Sequence, residues 1–133
     1  MSELNVAAVV VAGVASFVGS VGWYMVFGNA MVRLQREWRA ANPSRRPRPW
    51  ELLILLVNGW VIAAVVAVIV ARADISGWVA SAGFGLLLWV GFALTQWVGS
   101  VLGEQVPVRL AAIHAGDWLM HMLIISIIVG TWR

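Results

Sequence analysis

"LLILLVNGWVIAAVVAVIVA", Leu52 to Ala71, runs for twenty residues without a charged side chain. At about 1.5 Å per residue, a helix of that length spans about 30 Å, the hydrocarbon thickness of a bilayer. Asn58 is its one strongly polar residue. A water-soluble helix needs a polar face, and this segment has none, so its solvent is lipid.

Three more apolar segments extend the reading along the chain: Leu4–Phe27, Trp78–Leu102 and Val108–Thr131. Backbone in lipid must satisfy its own hydrogen bonds, which leaves helices or a closed barrel. The runs lack the alternation a barrel strand requires. Of 133 residues, 62% are hydrophobic and 11% charged, too few charges to cover a soluble domain. The expected fold is all-α: one integral membrane domain over residues 1–133, folded as a transmembrane four-helix bundle. The N-terminus has no basic leader, and its apolar run is too long for a signal-peptide core, so the first span is expected to be retained.

Cysteine is absent, which excludes disulfides and thiolate chemistry. All nine positive charges are arginine, a usage that fits a GC-rich genome. Without lysine there is no Schiff-base or lysine general-base chemistry.

The arginines orient the chain. The first connection holds Arg33, Arg36, Arg39, Arg45, Arg46 and Arg48, and the third adds Arg109, against Arg72 and Arg133 on the other side. Positive residues stay in the cytoplasm, so both termini are expected outside. Within that connection Met31, Leu34 and Trp38 fall at i, i+3 and i+7, which predicts a separate amphipathic helix lying on the inner leaflet. The proline-rich "NPSRRPRPW" following it reads as non-helical, with Trp50 as an interfacial anchor. The basic patch could bind anionic lipid or nucleic acid. Orientation and anchoring is the reading adopted, with no nucleic-acid partner.

Small residues recur every fourth position at Ala12, Ser16 and Ser20, and at Gly91, Thr95, Gly99 and Gly103. Such stripes let helices approach closely, within one bundle or between copies. "VGSV" occurs twice, at Val18–Val21 and Val98–Val101, a faint hint of repeated helical pairs.

The last span carries an acid and two histidines. His114, Asp117 and His121 lie within an arc of about 60° on one helix face. Asn58, Gln96 and Ser20 fall at about the depth of His114, counted at about 1.5 Å per residue, with Tyr24 on the same face as Ser20. The expectation is a polar layer from all four helices, opening toward the cytoplasm. The outer half is apolar apart from Ser81 and Ser126, which argues against an open pore. Three readings compete for the acid–histidine group. It is a proton or ion site in which Asp117 titrates, a structural hydrogen-bond network with Asn58 and Gln96, or a metal site. The last is disfavoured because one helix supplies three ligands poorly.

Among nine tryptophans, Trp23, Trp50, Trp78 and Trp132 fall near span ends, where aromatic belts form. Trp60, Trp97 and Trp118 lie at the depth of the polar layer and Trp89 mid-span. They line a pocket for a flat or cationic ligand, or serve as bulky packing. No catalytic motif appears, no cofactor is indicated, and the chain is not expected to be an enzyme.

"GSVGWYMVFGNAMVRL", "LLLWVGFALTQWVGS" and "LAAIHAGDWLMHMLIISIIVGTW" together resemble a family of small bacterial four-span membrane proteins, catalogued as domain of unknown function 1761. Its most specific parts are Gly22-Trp23-Tyr24, Gly91-Phe92 and Ala115-Gly116. As the pattern stands in the family, Asn precedes Ala-Gly and an aromatic follows, where this chain has His114 and Asp117. The resemblance implies a four-helix membrane bundle and no particular activity. The expected function is binding or transport of a small ligand, ion or proton, in a homo-oligomer of the bacterial inner membrane. The alternative is an accessory or scaffold subunit of a larger membrane complex.

Overall fold

The computed structural model describes residues 4–40 and 48–132. Four helices are long and apolar enough to cross a membrane. The first, α1 (Val6–Arg39), starts at Asn5, whose side chain accepts a hydrogen bond from the Ala8 backbone N–H at 3.1 Å. The same side chain donates to the Trp132 carbonyl at 3.2 Å, so the start of α1 meets the residue that follows α5 (Val108–Thr131) at one end of the bundle.

With 34 residues, α1 is about 51 Å long, against a hydrocarbon core of about 30 Å. The segment expected as a separate interfacial helix is therefore the end of this rod. Nothing between Phe27 and Met31 breaks a helix beyond the modest cost of Gly28. The amphipathic stripe was read correctly but faces protein. Met31, Leu34 and Trp38 pack on Val106, Leu110 and Ala111 instead of lying on the leaflet.

Helix α2 (Pro49–Arg72) begins earlier than the expected Leu52. Proline at the first helical position starts a helix rather than ending one, and the Arg48 backbone N–H donates to Glu51 Oε2 at 2.9 Å. Trp50 thus lies in the first turn and is exposed. The turn after α2 closes through Gly77 at φ 83°, a left-handed conformation suited to glycine.

The third span comprises α3 (Trp78–Leu88), a π-helical segment (Trp89–Leu94) and α4 (Thr95–Gly103). Residues 81, 85, 89, 93, 97 and 101 of this span face α5 (Val108–Thr131). A four-residue repeat drifts about 40° per step on an α-helix, or about 200° over these five steps. The extra residue of a π turn returns about 100° of that phase. The π segment thus keeps one face on α5 at both ends of the span.

Helix α5 packs against every other span; α1 and α2 also pack on each other, whereas the third span's principal contact is α5. Away from the arginines, the core is Ala12, Ala63, Val66, Ala67, Val70, Ile125 and Val129. Here α3 and α5 approach through a reciprocal small-residue contact. Ser81 fills the space beside Gly130, and Ser126 lies 2.9 Å from where a Gly85 Cβ would be. The α1 stripe of Ala12 and Ser16 is fully buried within the chain. The third-span stripe differs: a Cβ on Gly91, Gly99 or Gly103 would meet no described atom within 4 Å.

Candidate functional site

Ser16, Ser20 and Tyr24 follow the small-residue face of α1, and His114, Asp117 and His121 form one face of α5. The two faces meet. Ser20 Oγ donates to Asp117 Oδ1 at 2.6 Å, and Tyr24 Oη donates to Asp117 Oδ2 at 3.2 Å. Each hydroxyl also touches a histidine: Tyr24 Oη lies 2.8 Å from His114 Nδ1, and Ser20 Oγ lies 3.1 Å from His121 Nδ1. The carboxylate of Asp117, a buried residue, is therefore held by two hydroxyls, each joined in turn to an imidazole.

Donor counting constrains the protons. A hydroxyl has one proton to give. With Asp117 ionised, both hydroxyl protons point at it, so each hydroxyl oxygen accepts from an Nδ1–H. That arrangement selects the Nδ1-protonated form of both histidines.

Indoles surround the cluster. Trp97 stacks on His114 with centroids 4.9 Å apart and planes within 8°, and Trp118 lies tilted against His121 at 5.7 Å. Two more tryptophans grip the backbone of α5: Trp23 Nε1 donates to the Ile113 carbonyl at 3.0 Å and Trp89 Nε1 to the Ala115 carbonyl at 2.7 Å. Trp23 lies over Gly116. Trp60 is not part of the cluster. It donates to the Val10 carbonyl at 3.3 Å and ties α2 to α1 over Gly13.

The four-helix polar layer does not form. Asn58 and Gln96 are exposed on the outside of the bundle. Depth counted along a helix says nothing about azimuth. Neighbouring residues on a helix differ by about 100°, so turning Gly59 toward Ser16 and His121 turns Asn58 out, and seating Trp97 on His114 turns Gln96 out. Neither amide makes a hydrogen bond among the described residues. The expected opening toward the basic end is occupied as well: Val106, Leu110 and Ala111, with Met31, Leu34 and Trp38, form an apolar layer one turn beyond His114.

Arg33, Arg36, Arg48 and Arg109 are exposed at that end. Arg45, Arg46 and the side chain of Arg39 lie outside the described residues. Among the described residues no three His, Cys, Asp or Glu side chains group to hold a metal ion.

The family described as "Protein of unknown function (DUF1761)" matches residues 7–130. The chain belongs to the DUF1761 family. No curated protein and no solved structure matches it. The match covers all four spans, so this DUF1761 bundle is one family unit from α1 to α5. Two stretches that carried the resemblance touch in space, since Trp23 of Gly22-Trp23-Tyr24 lies on Gly116 of Ala115-Gly116. The adjoining Tyr24 and Asp117 form part of the buried cluster.

Proposed function

We propose that this protein binds and passes a proton at the Asp117 cluster, in the course of handling a small ligand or ion in the membrane. The observation that supports the reading is the pair of hydroxyl bridges joining one buried carboxylate to two imidazoles. An ionisable group within a membrane span is costly and is a functional candidate by default. Serine and tyrosine hydroxyls both donate and accept, so they pass protons without moving far.

The proton balance is simple. Imidazolium at His121 has N–H on both nitrogens. The Nδ1 proton shifts to Ser20 Oγ while the Ser20 proton shifts to Asp117 Oδ1. The products are neutral His121 with its proton on Nε2 and a neutral Asp117 carboxylic acid. Tyr24 and His114 offer the same route on the other carboxylate oxygen. The groups facing Asp117 are these two hydroxyls and, through them, the two histidines of its own helix. Beside the histidines, α2 presents Gly59 and the third span presents Trp97.

This is a binding role rather than an enzymatic one, because Ser20 and Tyr24 are both committed to the carboxylate. Positive-inside orientation puts the arginine-rich end in the cytoplasm and both termini outside, in a bacterial inner membrane. Infrared difference spectroscopy between acid and alkaline pH, in lipid, tests the proton reading. A protonated-carboxyl band that disappears in Asp117→Asn is the expected result. A spectrum with no such band, or one unchanged by the substitution, overturns it.

A second reading, an accessory or scaffold subunit or a homo-oligomer, is supported by the third span. Among the described residues its principal packing is against α5, and nothing lies within 4 Å of a Cβ placed on Gly91, Gly99 or Gly103. Gly99→Leu would then release a co-purifying chain while leaving the infrared band intact.

A further inference from the structure

The third span and α5 leave between them a cleft of about 370 Å³, within the range of small-molecule sites. Its walls include Phe92, Gln96, Trp97, Ser100, Trp118 and Met122. At about 1.5 Å per residue from Gly103, Ser100 lies about 5 Å, Gln96 about 10 Å and Phe92 about 16 Å along the span. Phe92 is 69% exposed and Gln96 is exposed too, so the cleft opens sideways into the bilayer. A larger cleft of about 530 Å³ between Trp23 and Leu119, Leu123 and Ile127 is almost wholly apolar and needs nothing more than a lipid chain.

The smaller cleft differs because it holds an amide and a hydroxyl at hydrocarbon depth. An amide without a partner in hydrocarbon is costly, and Gln96 has none among the described residues. We propose that this cleft binds a neutral, lipid-soluble planar ring bearing hydrogen-bonding oxygens, of the quinone or phenol class. Trp118 and Trp97, the latter stacked on His114 on one side, line the cleft and supply aromatic surface for a ring. The Gln96 amide both donates and accepts, which suits a carbonyl or hydroxyl oxygen. An acyl chain satisfies neither polar group, and a phospholipid headgroup stays at the interface. Glu104 adjoins the cleft beside Gln96 and Ser100, but the exposed Arg33, Arg36, Arg48 and Arg109 outnumber the carboxylates Glu37, Glu51 and Glu104 at that end, so the field disfavours a cation.

Trp97 and Trp118 are also the indoles that touch His114 and His121. A ring in the cleft therefore bears on the proton cluster through its walls. That coupling rests on the proton reading; ring binding does not.

The test uses the full chain labelled with 5-fluorotryptophan in phosphatidylcholine nanodiscs, titrated with decylubiquinone and followed by fluorine NMR. Trp97 and Trp118 resonances, assigned with Trp97→Phe and Trp118→Phe, are expected to move and saturate. Gln96→Leu should keep the unliganded spectrum and weaken binding about tenfold, the equivalent of one hydrogen bond. Equal movement of the exposed Trp50 and Trp78 resonances would mean partitioning into lipid and would overturn the site. So would unmoved Trp97 and Trp118, or disulfide formation between two copies of a Gln96→Cys chain, which would make the cleft an interface. Repeating the titration in Asp117→Asn separates the two proposals. Binding that persists there supports the site whatever the infrared result, and binding that is lost there while the fold is kept counts against an independent ring site.

Discussion

The indole of Trp97 lies flat on the imidazole of His114, their planes 8° apart. This stack joins the third span to the cluster on the α1–α5 interface. It depends on the π segment, because an uninterrupted α-helix would carry residue 97 about 100° away from its present direction.

Removing the stack should release His114. Trp97→Leu is expected to lower stability by about 1 kcal/mol beyond its loss of packed area. Trp97→Phe should keep most of that interaction. Unfolding in mixed detergent measures the difference, and nitrogen-15 NMR of His114 reports its ring. Equal losses in both variants would show that the stack contributes nothing specific.

The hydroxyl bridges should behave as a unit. Ser20→Ala strands both an Asp117 oxygen and His121 Nδ1, at a cost of about 1–3 kcal/mol. Asp117→Asn presents an amide N–H to one of the two hydroxyls, and that hydroxyl can accept from it. The double variant Ser20→Ala with Asp117→Asn should therefore lose less than the sum of the single losses. Strict additivity would mean that the two side chains do not interact.

Glycine tolerance should differ sharply between sites. Alanine at Gly130 collides with Ser81, and alanine at Gly85 meets the Met122 carbonyl at 2.8 Å. Both should loosen α3 from α5 by about 1–3 kcal/mol through overpacking. Gly59→Ala places its methyl no closer than 3.6 Å to its neighbours and should be neutral or stabilising by up to about 1 kcal/mol. Thermal unfolding of the three variants in one detergent is the check, and a destabilised Gly59→Ala would contradict the α1–α2 packing described above.

Orientation is readily measured because the chain has no native cysteine. A membrane-impermeant maleimide should label Ser76→Cys in intact cells and reach Glu104→Cys after lysis alone. The reverse pattern would put the arginine-rich end outside.

The contributors to the cluster were partly legible before folding. His114, Asp117 and His121 share a face by spacing, and Ser20 and Tyr24 share one on α1, so those two halves were in view. Asn58 and Gln96 were included by depth and lie outside, because which way each helix is rotated is decided by the closest-packed neighbour. For α2 the close contacts are Trp60 over Gly13 and Gly59 against Ser16, and for the third span they are Ser81 beside Gly130 and Trp97 on His114. The four-residue repeat at Ser81, Gly85, Trp89, Ala93, Trp97 and Val101 was present in the sequence as a signal for the π turn. Its members range from glycine to tryptophan, so neither a small-residue stripe nor an apolar period marks it.

Four apolar runs of membrane-spanning length, the absence of strand alternation and the crowding of arginine in one connection follow from composition and order alone. Transfer of side chains and backbone into hydrocarbon depends on their chemistry and not on their neighbours. Which polar groups meet could not be read the same way. The phase of the third span and the pairing of Ser20 and Tyr24 with Asp117 are set by contacts between helices. In lipid those contacts are decided by shape, by where a serine faces a glycine or an indole covers one, and shape belongs to the assembled bundle.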